Sequence, residues 1–337
     1  MAMRLSPEEK KEKYRLIYEG FWIDPWISEN KLTGILGGSN YTTKNRLKEA
    51  ISQGHLSNPQ ARKNSYQNTK ERVYFVNVPN PYSLFSKLVE DTRISYHALM
   101  IGICNMWVVA DEEINIKEID TKADVIFEGY RSDYHVSYAT KRSWREGISK
   151  MREKIHDFSS EKISEETEHI IQFRTEMVDW ALDYEILFKY FKFNLRKPRT
   201  PVMREYKIPT ETIDSFMSNL DELCTVFTMY YPKGIENYEP WLYMIDTDYP
   251  NFIIDVFSEL PTTSWFFKVK NKLFVFIYPK RELLGIIRTS DSLDEIENLH
   301  VPFLLHEMKN KGIINHERHG IVDGYWQKEL PEYSFKK

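Results

Sequence analysis

The chain has 337 residues, 42% hydrophobic and 14% aromatic, which is enough to bury more than one core and excludes global disorder. Lys and Arg number 46 against 50 Asp and Glu, so the net charge of −4 gives no whole-chain sign of nucleic-acid binding, and any such surface has to be local. Two distant cysteines, Cys104 and Cys224, exclude a disulfide framework or a cysteine-rich zinc site and are expected as buried free thiols.

The N-terminal stretch MAMRLSPEEKKEKYRL lacks an apolar signal core, and no run of about 18 apolar residues occurs. A soluble, cytoplasmic chain is expected. The third helix of the first segment follows Leu36-Gly-Gly-Ser39. Ser39 is a candidate N-cap, and Asn40, Tyr41, Thr42, Thr43, Lys44, Asn45, Arg46 and Lys48 stand against one acid, Glu49. Beyond Gly54-His55-Leu56, the polar run SNPQARKNSYQNTKER carries Arg62, Lys63, Lys70 and Arg72. Thr33 to Arg72 thus holds seven Lys or Arg and two Asp or Glu inside an acidic chain, an excess suited to neutralising phosphates. GILGGS fits neither a dinucleotide fingerprint nor a P-loop and reads as a tight turn.

Val73 opens an apolar, β-prone run. Pro81 then sits where a helix begins, with Leu84, Phe85 and Leu88 on one face. Strands are expected near 95–103, 105–110 and 124–130. The EEINIKEIDTKA between the last two leaves room for a short helix or none. Residues 141–178 are charged and helix-prone and read as one or two connecting helices.

The same pattern returns about 170 residues later. Trp241 opens a strand, Pro250 a helix with Ile253, Ile254 and Phe257, and Trp265 a hairpin turning near Asn271-Lys272. A helix in VPFLLHEMKNKGI ends at Gly312, and INHERHGIVDGYWQ returns as a last strand. Upstream, LDYEIL, a basic turn at Arg196, Lys197 and Arg199, and IPTETIDSFMSNLDEL match the first segment's helices. The fold class expected is α+β: two tandem copies of a winged helix-turn-helix followed by a ferredoxin-like β-α-β-β-α-β domain. The divisions are 1–72, 73–140, a connector at 141–178, 179–239 and 240–330.

With LDYEIL, the basic turn, Arg46 and Gly54 in these positions, the chain resembles the Lrp/AsnC (feast/famine) family of transcription regulators. That resemblance implies a DNA-binding regulator, not an enzyme, with a recognition helix in the major groove and ferredoxin-like domains for assembly and effector sensing. The first winged helix carries the DNA residues: Ser39 through Arg46, Lys48, Arg62, Lys63, Lys70 and Arg72. The second carries Glu211, Asp214, Asp221 and Glu222 at the equivalent helix and is expected to repel phosphate. Duplex DNA is the partner implied. No membrane, cofactor or metal is expected, a homodimer of whole chains stays open, and no effector is named by the residues.

Two rival readings come from other classes. Siroheme decarboxylases resemble the same unit, sometimes as fused pairs, and would need a basic cleft for a carboxylated tetrapyrrole; no His/Arg cluster stands out on the expected hairpins. The other rival is a protein-interaction scaffold. His300, His306, His316 and His319 gather near the C-terminus without the spacing of a known zinc motif. The aromatics of 264–278 read as sheet core.

Overall fold

The computed structural model describes residues 5–160, 170–280 and 301–328. His300 and part of the expected connector lie outside the described residues. The chain opens with helix α1 (Pro7–Ile23), whose N-terminus carries a reciprocal cap between Ser6 and Glu9. Helices α2 (Glu29–Leu36) and α3 (Asn40–Ser52) follow, and the Ser39 hydroxyl accepts the Thr42 N–H as the N-cap of α3. Ile17, Tyr18, Phe21, Leu32, Leu36 and Ala50 form their common core.

Strand β1 (Gln60–Lys63) leads into β2 (Arg72–Asn77), α4 (Pro81–Glu90), β3 (Ile94–Gly102), β4 (Met106–Ala110), a single turn α5 (Ile116–Ile119), β5 (Asp124–Tyr130) and β6 (His135–Val136). The one connecting helix among the described residues is α6 (Trp144–His156). The second half runs α7 (Leu182–Phe191), α8 (Thr200–Tyr206), α9 (Thr210–Ser218), α10 (Leu220–Leu223), β7 (Cys224–Phe227), β8 (Trp241–Asp246), α11 (Pro250–Phe257), β9 (Trp265–Val269), β10 (Lys272–Ile277), α12 (Val301–Asn310) and β11 (His316–Gln327). The helix expected over Ile208–Leu223 is therefore broken at Asn219.

Among the described residues nine strands form one antiparallel sheet in the order β5-β2-β4-β3-β11-β8-β10-β9-β6. Within each half the order is the same: last strand, first, third, second. The halves join where β3 pairs with β11, from Gly102 opposite Gly320 to Tyr96 opposite Gln327. The sheet curls until Arg131, just past β5, bridges Val269 at the end of β9.

Alternation along the strands sorts side chains onto two buried faces. Val73, Phe75, Trp107, Leu242, Phe267 and Phe274 point inward and form one core from both halves. Tyr74, Val76, Met106 and Val108 point outward beneath α4; Tyr243, Ile245, Leu273 and Val275 share the core that α6, α11 and α12 build. Burial on both faces explains why these strands read as almost unbroken apolar runs.

The basic stretch after α3, expected as a DNA-facing wing, is placed otherwise. β1 pairs antiparallel with β7 of the second half, Gln60 opposite Phe227 and Lys63 opposite Cys224. This two-stranded ribbon pulls Arg62 and Lys63 into the molecule. Cys104 and Cys224 are buried free thiols.

Candidate functional site

Where the curled sheet meets α7 and the β1–β7 ribbon, a cavity of about 520 Å³ opens, within the usual range for small-molecule sites. Aromatic rings make much of its wall: Tyr96 and Trp107 from the first half, Trp265, Phe267, Phe276 and Tyr278 from the second. Tyr325 is 62% exposed and stacks on Tyr96 at 6.0 Å between centroids. The indole N–H groups of Trp107 and Trp265 are buried with no acceptor among the described residues.

One polar corner carries the charges. Lys63 is buried, and its Nζ lies 2.8 Å from Glu185 and 3.6 Å from Asp111. Burial opposes the charge of Glu185, but the ammonium groups of Lys63 and Lys189 outweigh it and hold the carboxyl down at about 2. Asp111 moves the other way, raised by burial despite Lys63. Behind them Arg131, fully buried, donates both Nε and Nη2 to Glu71 Oε2. Burial again works against the Glu71 charge, and Arg131 keeps it below the ordinary carboxylate range.

Two cations on the wall stand apart from these pairs. Arg62 donates to Ala61 O at 2.9 Å and Gln60 Oε1 at 3.1 Å, and its guanidinium lies over the rings of Phe193, Phe227 and Trp265 at 5.0, 5.5 and 5.3 Å. Lys192, at the C-terminal end of α7, is 7% exposed, and its Nζ faces the Phe193 ring at 4.7 Å. Among the described residues no carboxylate lies within ion-pair distance of either. Burial, reinforced by the neighbouring Arg62, lowers the Lys192 ammonium to about 7. Lys192 is buried and Arg62 half-buried, and a cation held there without a paired carboxylate is costly, a cost that an anionic ligand would relieve.

The structure separates the residues expected to contact DNA. Ser39, Asn40, Tyr41, Lys44, Asn45 and Lys48 are exposed on α3, with Thr42 and Arg46 half-buried beside them. Thr43 is fully buried and accepts a hydrogen bond from Thr33 at 2.9 Å, because it lies on the same helical face as Ala50; it is removed from any DNA surface. Arg62 and Lys63 are likewise corrected, since both line the cavity. Arg72 lies along β2 between Glu113 at 2.7 Å and Glu128 at 3.2 Å, and Lys70 donates to Gln67. Arg196 of the second basic turn donates to Ile27 O at 2.6 Å and so fastens the two helical units together. Residues that sequence reasoning passes over are Lys192, Asp111, Glu71 and the tyrosines of the wall.

No group of three His, Cys, Asp or Glu side chains converges as a metal site among the described residues, where His316 and His319 lie on β11. No described helix is long and apolar enough to cross a membrane.

Fold and cavity together define an α+β chain with a ligand-sized, aromatic-walled interior and two cations that no described carboxylate pairs. No family model and no curated protein matches it. Among solved structures it is similar to the siroheme decarboxylase NirDL, at 9% identity over 94% of this chain and 93% of that chain, with a TM-score of 0.47. It is also similar to NirDL in co-complex with an iron-uroporphyrin III analogue, at 9% identity over 95% and 93%, with a TM-score of 0.49. At this identity no residue role transfers. Both similar structures are of an enzyme, against the expectation that the chain is not one.

Proposed function

We propose that this chain is an enzyme whose cavity takes a planar, largely apolar molecule bearing carboxylates, such as a carboxylated tetrapyrrole, and removes a carboxylate as CO₂. The fold proposed with it is a covalent duplicate, each half a helix-turn-helix-like unit with a ferredoxin-like sheet. The observation that carries the reading is the placement of Arg62 and Lys192, without counter-ions among the described residues, beside aromatic walls. The flat rings suit the face of a conjugated ligand, and the guanidinium fork suits its carboxylate. A carboxylate moved from water into such a site loses hydration that neutral CO₂ does not need, which favours decarboxylation.

Iron-uroporphyrin III is the probe, followed by its visible absorbance and by tryptophan fluorescence. Arg62→Met is expected to weaken binding about ten- to hundred-fold, the worth of one charge-assisted hydrogen bond. Because Lys192 loses its proton as pH rises through about 7, affinity should fall by up to tenfold per pH unit above that value; Lys192→Met should flatten the profile. A wild-type protein that leaves the porphyrin spectrum unchanged on the acid side of neutrality would end this reading.

A second reading concerns the outer face of α3, on which we propose that duplex DNA is held. It is favoured by the exposure of Tyr41, Lys44, Asn45 and Lys48 and by the pairing of Glu49, which lies 2.7 Å from Lys10; the other acid at this face, Glu29, lies 3.7 Å from Lys44. Changing Lys44, Arg46 and Lys48 together to alanine should reduce the dependence of log affinity on log salt by up to about 0.9 for each phosphate the helix no longer neutralises. Equal binding by wild type and triple variant over a salt series leaves α3 a plain surface helix.

A further inference from the structure

Removal of CO₂ leaves an electron pair on the ligand's carbon, and a proton has to reach it inside the cavity. Most ionisable groups on the wall are unsuited to supply one. Arg62 does not release its proton at ordinary pH. Glu71 and Glu185 are held ionised by Arg131 and by Lys63 with Lys189, so they accept and do not donate. The Lys63 ammonium is clamped between Glu185 and Asp111; burial raises Asp111, but its carboxyl lies in that corner 3.6 Å from the Lys63 ammonium, which opposes the rise.

Lys192 differs from all of these. Its backbone is fixed: its N–H donates to Phe188 O at 2.8 Å, and its carbonyl accepts from Ala61 N–H at 2.8 Å, which ties the end of α7 to β1. Its side chain is buried on the cavity wall against Phe188 and Phe193. Its Nζ has no hydrogen-bond or ion-pair partner among the described residues. The charges that act on it are Arg62 and Lys63 on β1, Glu71 just before β2 and Asp111 just after β4. Burial and Arg62 bring it to about 7, where it both holds and releases a proton near neutrality.

On the reading of the cavity as a decarboxylation site, we propose that Lys192 is the proton donor that completes the reaction. The bond between the ligand's carbon and its carboxylate breaks, CO₂ leaves, and the electron pair stays on the carbon, spread into the conjugated ring. A proton passes from Lys192 Nζ to that carbon, leaving a neutral amine that is reprotonated from water. Arg62 keeps its charge throughout and holds a carboxylate of the ligand.

The variant that separates charge from proton transfer is Lys192→Arg, since a guanidinium keeps the positive charge and does not give up a proton. With iron-uroporphyrin III, Lys192→Arg should bind like wild type, while CO₂ release read by mass spectrometry falls about 10²- to 10⁴-fold. Lys192→Met should lose affinity as well. Release by Lys192→Arg at the wild-type rate overturns the donor role and leaves the cavity reading standing. Failure of the wild type to bind overturns the cavity reading, and the donor role with it; binding without CO₂ release overturns the reaction and the donor role. A ligand-free readout is the nitrogen NMR titration of lysine Nζ groups, assigned by the resonance missing in Lys192→Arg. A midpoint near neutrality supports the proposal, and one above about 10, the ordinary lysine value, overturns it.

Discussion

Replacing Arg131 by methionine is expected to lower folding stability by about 3–5 kcal/mol, read as a shift of the urea midpoint. Arg131 is fully buried, with its guanidinium 4.3 Å from the Tyr134 ring centroid. It donates twice to Glu71, once to Lys63 O at 2.8 Å and once to Ser132 O at 2.8 Å. Without it, Glu71 remains a carboxylate in the interior with its main partner gone, and two carbonyls lose a donor. The double change Glu71→Met with Arg131→Met should recover much of the loss, because it also removes the stranded charge. The two carbonyls keep that recovery incomplete. The pH dependence has a definite sign. Arg131 depresses the folded-state value of Glu71, so its contribution is present above the ordinary carboxylate range and is lost as pH falls through the depressed value. The gap between wild type and Arg131→Met should therefore narrow in acid. A loss below about 1 kcal/mol at neutral pH, the scale of an exposed ion pair, would show that the pair is not structural.

Much of the sheet is legible in the sequence because its cues are local. Pro81 and Pro250 open helices where their place after an apolar run predicts, and the strand limits fall within a residue or two of those expected. Gly312, at φ 70°, ends the last helix as expected. The cavity is not legible, because it depends on β1 pairing with β7, two strands drawn from opposite halves of the chain. Arg62 and Lys63 carry the composition of a phosphate-binding loop, and nothing beside them names Glu185, Asp111 or Trp265 as neighbours. One signal is there to be found. Lys192 lies four residues after Phe188, on the buried side of α7, within a run of aromatics. A lysine on the apolar face of a helix marks either a paired charge or a lined cavity. Thr43 carries the same kind of warning, one helical face shared with Ala50.

Phe274→Ala should also cost about 3–5 kcal/mol, the usual loss for a large aromatic truncated in a core. Phe274 is fully buried on the inner face of β10. Its ring stacks on Phe267 of its own half at 4.9 Å and on Phe75 of the other half at 4.9 Å, nearly parallel at 3°. The void it would leave touches strands of both halves, which are also held together by the β3–β11 ladder, so the surrounding backbone has little freedom to collapse into it. The sharper measurement is the cycle of Phe75→Ala, Phe274→Ala and both. If the halves share one core, the double variant loses less than the sum of the single ones, with a coupling of about 0.5–1.5 kcal/mol for a stacked aromatic pair. Additive losses, with two separate unfolding transitions, would mean that each half stabilises its own sheet. The cavity would then sit between loosely joined units, and Arg62, delivered by the first half to the aromatic wall of the second, would have no fixed place there.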